Sequence, residues 1–410
     1  MPAHGQESFP PGQHDPQTPR RQRRRSTGCG ARIPREGPVA VSPPPSRQAS
    51  DVLSGLLRDA ALLVDRGTAS AADVDTAMRL GAGHPAGPFE VMAALGPGDL
   101  DRLGLRVPAE PAPTGAAPVA GLTWDGPVGV VGTGHMAGGI VEAVARSGRP
   151  VRVLARSDES GGRLRSTLTA SLDRAVSRGR LDGAGRTDVL DRVSVATDTA
   201  SLDGTDVVVE AVAESLDVKA EVISRLDAAL APSLPLATNT SSFRVGDLTP
   251  AAPSGRPVIA LHFFNPAQVM KLVEVVVPAE LDGSAELRAT ATAWARALGK
   301  TPIGCADARG FVVNRLLIPF LNDAVRLHET GIPVEEVDEV LTSGAGHPMG
   351  PLALIDLIGV DVTVAALESM AVVDDDPRIP PARTLRDLLA TGRLGRKTGA
   401  GFHTYGERHA

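Results

Sequence analysis

Cysteine is almost missing from this chain: 410 residues hold two, Cys29 and Cys305. Two thiols so far apart give no disulfide framework, and a reducing, cytoplasmic compartment is the expectation. With so few thiols, and histidines scattered off any ligand spacing, nothing supports a zinc site. No apolar run approaches the length of a membrane span, and no apolar stretch follows the early arginines as it would in a secretory signal. An excess of positive charge is missing too; the net charge of -6 at pH 7 gives no reason to expect a nucleic acid partner. What is present is 42% hydrophobic residues, enough for a sizeable core, in a length that predicts two or three domains.

Residues 1–50 are rich in Pro, Gln, Gly and Arg, lack apolar periodicity, and predict a disordered tail. The basic cluster from Arg20 to Arg25 reads as solvated charge within it. Residues 51–107 carry an internal repeat. Gly81-Ala82-Gly83-His84-Pro85-Ala86-Gly87-Pro88 nearly duplicates Gly344-Ala345-Gly346-His347-Pro348-Met349-Gly350-Pro351. The flanks repeat as well: Asp59 to Gly67 matches Asp323 to Gly331, Asp75 matches Asp338, and Gly96 matches Gly359. This predicts a truncated second copy of the helical C-terminal region, packed on it as an internal pseudo-dimer. Residues 108–123, rich in Pro, Ala and Gly, predict a linker.

Short apolar strands alternating with helical patterns over 124–306 predict an α/β, doubly wound, mostly parallel sheet. The expected strands are Val128–Val131, Val151–Leu154, Val207–Val209, Leu234–Ala237, Val258–Leu261, Leu272–Val277 and Pro302–Cys305. An all-α domain follows over 307–406. The first strand runs into Gly132-Thr133-Gly134-His135-Met136-Ala137 and then an apolar helix. That is a Rossmann-type dinucleotide turn: Gly132 for the tight bend, Gly134 for approach of the pyrophosphate, Ala137 as the third small position.

The second informative stretch is His262-Phe263-Phe264-Asn265-Pro266, just after an apolar strand, with Glu274 twelve residues later inside another. A His and a Glu brought together at strand ends form a general-base dyad, the carboxylate fixing the tautomer and stabilising the imidazolium.

Together with Val208 to Glu214, Asn239-Thr240-Ser241-Ser242, Gly310-Phe311-Val312-Val313-Asn314-Arg315 and Gly395-Arg396-Lys397-Thr398-Gly399, these motifs resemble the L-3-hydroxyacyl-CoA dehydrogenase family, which includes the 3-hydroxybutyryl-CoA dehydrogenases. The resemblance runs from about Pro127 to Tyr405. It implies interconversion of an L-3-hydroxyacyl thioester and its 3-oxo form by hydride transfer. It implies His262 as base, Glu274 as its orienting acid, and Ser241 and Asn314 on the substrate oxygen. Glu214, Lys219, Asn239, Asn265 and Lys397 fall at cofactor-side positions. Ser171 and Arg178 fall where the family contacts coenzyme A. The residues alone also permit plainer readings: caps and turns for Ser241 and Asn314, a surface ion pair for Glu214 and Lys219.

One departure concerns the cofactor. The family ends its second strand with Asp, which bonds the adenosine ribose of NAD. Here Ala155, Arg156 and Ser157 stand there. Alanine cannot make that bond or repel a 2'-phosphate, and Arg156 can pair with one, so NADP is expected to be preferred over NAD. Three readings compete: a dehydrogenase of acyl-CoA, a dehydrogenase of hydroxyacyl units on an acyl carrier protein, and a non-catalytic dinucleotide-binding protein of lambda-crystallin type. A homodimer through the helical domains is the alternative to the pseudo-dimer.

Overall fold

The computed structural model describes residues 44–109 and 123–406. Residues 1–43 of the expected tail, Cys29 among them, and most of the expected linker therefore lie outside the described residues. The helical chain begins earlier than composition suggests. Ser46 accepts a hydrogen bond from the Ala49 amide at 3.2 Å and caps a helix that opens at Arg47, so residues 47–50 are helix and not tail.

Eight strands form one sheet: β1 (Val128–Val131), β2 (Val151–Leu154), β3 (Val193–Ala196), β4 (Val207–Glu210), β5 (Leu236–Thr238), β6 (Val258–Phe263), β7 (Leu272–Val276) and β8 (Thr301–Cys305). Their order is β3-β2-β1-β4-β5-β6-β7-β8. β1 through β6 run parallel, and β7 and β8 turn back against them. Strand order reverses direction between β1 and β4, which leaves a crevice beyond their carboxyl ends for a ligand. β1 and β4 are buried along their whole length, as continuous Val-rich runs in a parallel sheet should be. β3 is absent from the sequence reading. It is a four-residue edge strand, partly exposed, whose short run Val193-Ser194-Val195-Ala196 carries too little apolar pattern to stand out.

The N-terminal helices are α1 (Arg47–Asp65), α2 (Ala71–Gly81), α3 (Pro88–Ala94) and α4 (Pro97–Leu103). The sheet carries α5 (His135–Arg146), α6 (Asp158–Ser177), α7 (Gly183–Asp191), α8 (Leu216–Ala229), α9 (Val245–Leu248) and α10 (Ser284–Ala297). The C-terminal domain holds α11 (Val313–Glu329), α12 (Val334–Gly344), α13 (Pro351–Ile358), α14 (Val360–Ala371) and α15 (Arg383–Ala390).

The repeat is structural down to single hydrogen bonds. Asp75 accepts from the Phe89 amide at 2.8 Å and caps α3; Asp338 accepts from the Leu352 amide at 2.8 Å and caps α13. A Cβ on Gly87 would collide with Asp75, and one on Gly350 with Asp338, both within 2.3 Å. Each acid therefore demands its glycine. α1 packs on α11, and one apolar core unites both helical copies with one face of the sheet. His84 and His347, the repeated histidines, face each other with ring centroids 4.4 Å apart. Burial pushes both toward the neutral form, to about 3 for His84 and about 4 for His347, so the stack stays uncharged at neutral pH.

Candidate active site

The dyad is a product of sheet register. β6 and β7 are antiparallel, and His262 stands directly opposite Glu274. Opposed residues project to the same face, which brings His262 Nδ1 to 2.6 Å from Glu274 Oε2. His262 lies within β6 and not just past it, since the strand continues through Phe263. A carboxylate only accepts, so Nδ1 carries the proton and Nε2 keeps its lone pair. Glu274 is fully buried, and its other oxygen accepts from the Val312 and Val313 amides at 3.0 and 2.9 Å. Those N–H groups are the unsatisfied donors at the start of α11. They are aimed at Glu274 by Gly310 at φ +75° and Phe311 at φ +47°, the one non-glycine residue with positive φ among the described residues. Phe264 and Phe311 flank the imidazole, with centroids at 4.5 and 5.7 Å.

A cavity of about 350 Å³ opens beside the dyad. Ser241, Asn314, Asn239 and Asn265 line it with His262. Asn239 is anchored through Oδ1, which accepts from the Phe263 amide at 2.8 Å. Asn314 Nδ2 reaches the Ser241 carbonyl at 3.4 Å, so α11 and the β5 loop meet at the cavity.

Glu214 and Lys219 also line this cavity, but they do not form a surface pair. Lys219 is 1% exposed and lies 3.1 Å from both Glu210 and Glu214. Glu210, which has no role in the sequence reading, is 1% exposed and also accepts from the Thr238 hydroxyl at 2.7 Å. Glu214 Oε1 takes the Thr240 hydroxyl and the Ser241 amide, both at 2.7 Å, and the Ser242 amide at 3.0 Å. Burial alone would raise the Glu214 pKa, but Lys219 and the Thr240 hydroxyl outweigh it and hold the carboxyl below its usual range. Glu214 therefore remains an anion that shapes the turn carrying Ser241.

Next to it lies a larger cleft of about 870 Å³ along the glycine turn. Gly132 has φ +124°, and a Cβ there would sit 2.6 Å from the Ala211 carbonyl oxygen, so only glycine fits. Gly134 caps α5 without a side chain, leaving the first-turn N–H groups free for an anion. Thr133, His135 and Met136 line the cleft; Ala137 is buried against the sheet. These features fit a dinucleotide pyrophosphate. Arg156, Arg163, Glu221 and Arg225 also line the cleft. Ala155 is buried at 2%, and Ser157 is used as the α6 cap, accepting from the Ser160 amide at 3.2 Å. Arg225 lies on α8, and nothing in its local sequence marks it as lining this cleft.

Ser171 and Arg178 border a separate groove with Arg146, Arg174 and Arg180. Lys397 lines none of these cavities. Its Nζ is bonded to Asp361, with one oxygen at 2.6 Å, and the adjoining Val362 reaches the rim of the dyad cavity.

A dinucleotide turn, a sheet switch point and a buried His–Glu dyad between sheet and helical domain define a dinucleotide-dependent dehydrogenase. Comparison with known proteins narrows the class. Residues 127–308 match the 3-hydroxyacyl-CoA dehydrogenase NAD binding domain, and residues 49–104 and 310–405 both match the 3-hydroxyacyl-CoA dehydrogenase C-terminal domain. The chain is 39% identical over 280 residues to a 3-hydroxybutyryl-CoA dehydrogenase of Mycobacterium tuberculosis, covering 68% of this chain and 98% of that one. It is 36% identical over 287 residues to the mitochondrial hydroxyacyl-coenzyme A dehydrogenase of Rattus norvegicus, covering 68% of this chain and 90% of that one. The crystal structure of (S)-3-hydroxybutyryl-CoA dehydrogenase from Ralstonia eutropha aligns at TM-score 0.65 and 37% identity, covering 68% of this chain and 99% of that one. The chain belongs to the 3-hydroxyacyl-CoA dehydrogenase family.

Proposed function

We infer that this protein is a 3-hydroxyacyl-CoA dehydrogenase, interconverting an L-3-hydroxyacyl thioester such as 3-hydroxybutyryl-CoA and its 3-oxo form. The observation that carries the reading is the opposed His262–Glu274 pair, opening on a cavity shared with Ser241 and Asn314. A bound nicotinamide supplies or accepts the hydride at C3. In oxidation, His262 Nε2 takes the 3-hydroxyl proton, and in reduction it returns that proton to the ketone oxygen. Glu274 orients the ring through Nδ1 and stabilises the imidazolium that forms. Ser241 and Asn314 hydrogen-bond the reacting oxygen and orient it. The arginines beside Ser171 and Arg178 suit the phosphates of coenzyme A.

NADP(H) is the proposed preferred cofactor. Ala155 offers no carboxylate to the ribose, and Arg156, Arg163 and Arg225 line the cleft. The test is turnover of acetoacetyl-CoA with NADPH and NADH separately, in the natural chain and in Ala155→Asp/Arg156→Ala. One charge-assisted hydrogen bond contributes about 1.5–3 kcal/mol, so the variant is expected to shift preference toward NADH by about ten- to a hundredfold. An unchanged preference would overturn the cofactor proposal. No turnover with either cofactor would overturn the reaction.

The N-terminal copy is proposed to act as a built-in partner for the C-terminal domain, replacing a second subunit. The α1–α11 packing and the shared core support this. A chain starting at Thr123 then exposes that apolar face. Light scattering is expected to report a dimer or aggregate where the full chain is a monomer. A truncated chain with unchanged mass state and activity would sink the idea.

A further inference from the structure

The N-terminal copy touches more than the C-terminal domain. Its helix α2 ends at Gly81 against β7 and the start of α11, the two elements that hold Glu274. A Cβ on Gly81 would lie 2.7 Å from Leu272 Cδ2 and 2.7 Å from Val313 Cγ2. Leu272 stands two residues before Glu274 on β7, so both side chains project to the same face. Val313 is the residue whose amide donates to Glu274 at 2.9 Å. Both neighbours are buried, at 0% and 1% exposure, and Val313 is β-branched and stiff, so a side chain at position 81 has to displace packed groups. Gly81 is not among the glycines with positive φ. Its backbone does not demand glycine; the space against the dyad strand does. A second link lies close by, where the Ala306 amide, one residue past β8, donates to the Thr68 carbonyl at 2.7 Å.

We propose that the N-terminal helical copy is a positioning module for the catalytic dyad, with Gly81 the positioning residue that holds Leu272 and Val313, and through them Glu274, in register with His262. The proposal rests on the dehydrogenase reading for the meaning of the dyad, but the contact stands without it. Glu274 has three donors to satisfy, from β6 and from the start of α11. It can serve all three only while β7 and α11 keep their spacing, and Gly81 sits where those two elements meet. The truncated copy therefore keeps a role in catalysis without contributing a side chain to the cavity.

The test compares full-length Gly81→Val, the milder Gly81→Ala, and Met92→Ala. Met92 is buried in α3 of the same copy, so its loss measures destabilisation alone. Three readings are taken on each: thermal stability, the kcat–pH profile with acetoacetyl-CoA, and the ¹⁵N shifts of the His262 ring, which report its tautomer. Gly81→Val is expected to lower kcat by about ten- to a hundredfold, to move the acidic limb of the profile, and to replace the single Nδ1–H tautomer with a mixture. Met92→Ala, at equal or greater loss of stability, is expected to leave tautomer and profile unchanged. Should Gly81→Val not fold, Gly81→Ala gives the same readings at smaller amplitude. Ring shifts and profile unchanged in the Gly81 variants, or moved equally by Met92→Ala, overturn the proposal. If the natural chain does not turn over acetoacetyl-CoA, the dehydrogenase reading falls, while the ring shifts still decide the positioning role.

Discussion

Replacing His262 with alanine is expected to lower kcat for acetoacetyl-CoA reduction by about 10²–10⁴-fold, with dinucleotide affinity unchanged. The ketone oxygen then loses its proton donor: Ser241 and Asn314 can hydrogen-bond that oxygen but hold their protons firmly, and the Lys219 ammonium is held by Glu210 and Glu214. Cofactor affinity is spared because His262 is not among the residues lining the glycine-turn cleft. Glu274→Gln is expected to cost less but to report the geometry better. Glu274 accepts from His262 Nδ1 and from the Val312 and Val313 amides. Glutamine carries an NH₂ in place of one oxygen: on the α11 side it opposes both amide donors, and on the His262 side it favours the tautomer in which Nδ1 accepts and Nε2 holds the proton instead of its lone pair. A buried donor left without an acceptor costs about 1–3 kcal/mol, and the imidazolium also loses its anion. Steady-state kinetics with a fluorescence titration of the dinucleotide would check both variants. Retention of most of the activity by His262→Ala would remove the dyad from the chemistry.

Arg378→Ala is expected to have the largest effect on stability. Asp59 on α1 and Asp323 on α11 are repeat-equivalent, and both pair with the single guanidinium of Arg378, Asp59 at 2.6 Å and Asp323 at 3.2 Å. A Cβ on Gly55 would meet Asp323 and Arg378 within 2.8 Å, so α1 and α11 approach closely here. Burial, partly offset by Arg378, raises the pKa of both acids, that of Asp323 to about 6. Removing Arg378 leaves two largely buried carboxylates facing each other, and stability is expected to fall by roughly 3 kcal/mol at neutral pH. The pH dependence follows from the sign of the shift. An acid whose folded pKa is raised holds its proton longer in the folded state, so stability falls as pH rises from about 4 to about 6, between the unfolded and folded values. Arg378→Ala raises both folded values further and extends that loss to higher pH. The variant is therefore expected to melt close to the natural protein near pH 4 and well below it at pH 7. A pH-independent difference in thermal melts would show that Arg378 acts through packing and not through these acids.

The glycine turn, the strand that feeds it and the His262 segment were legible because each is a local pattern. A four-residue apolar strand, two glycines spaced by one residue ahead of an apolar helix, and a run of aromatic and amide residues next to a histidine need no distant neighbour to be recognised. The repeat was legible for the same reason: Asp75 with Gly87, and Asp338 with Gly350, are local acid–glycine pairs whose spacing a helix cap dictates. β3 was not legible, since its edge position removes the apolar demand that marks the central strands. The Lys219 pairing was half legible. Its helical spacing to Glu214 is visible, but its burial depends on Glu210 at the end of β4. Lys397 fell at a cofactor-side position by resemblance, yet its ammonium is taken by Asp361 on α14.

By itself the sequence determined the dinucleotide turn, the candidate acid–base pair and the duplication of a helical unit, because these rest on residue type and short spacing. Tertiary structure alone decided that His262 and Glu274 are directly opposed, that the start of α11 supplies Glu274 with its other two donors, and that α2 stands behind them at Gly81. Each of these depends on strand register or on contacts between elements far apart in the chain. Side-chain packing fixes such contacts to within an ångström, and residue spacing along the chain carries no measure of that distance.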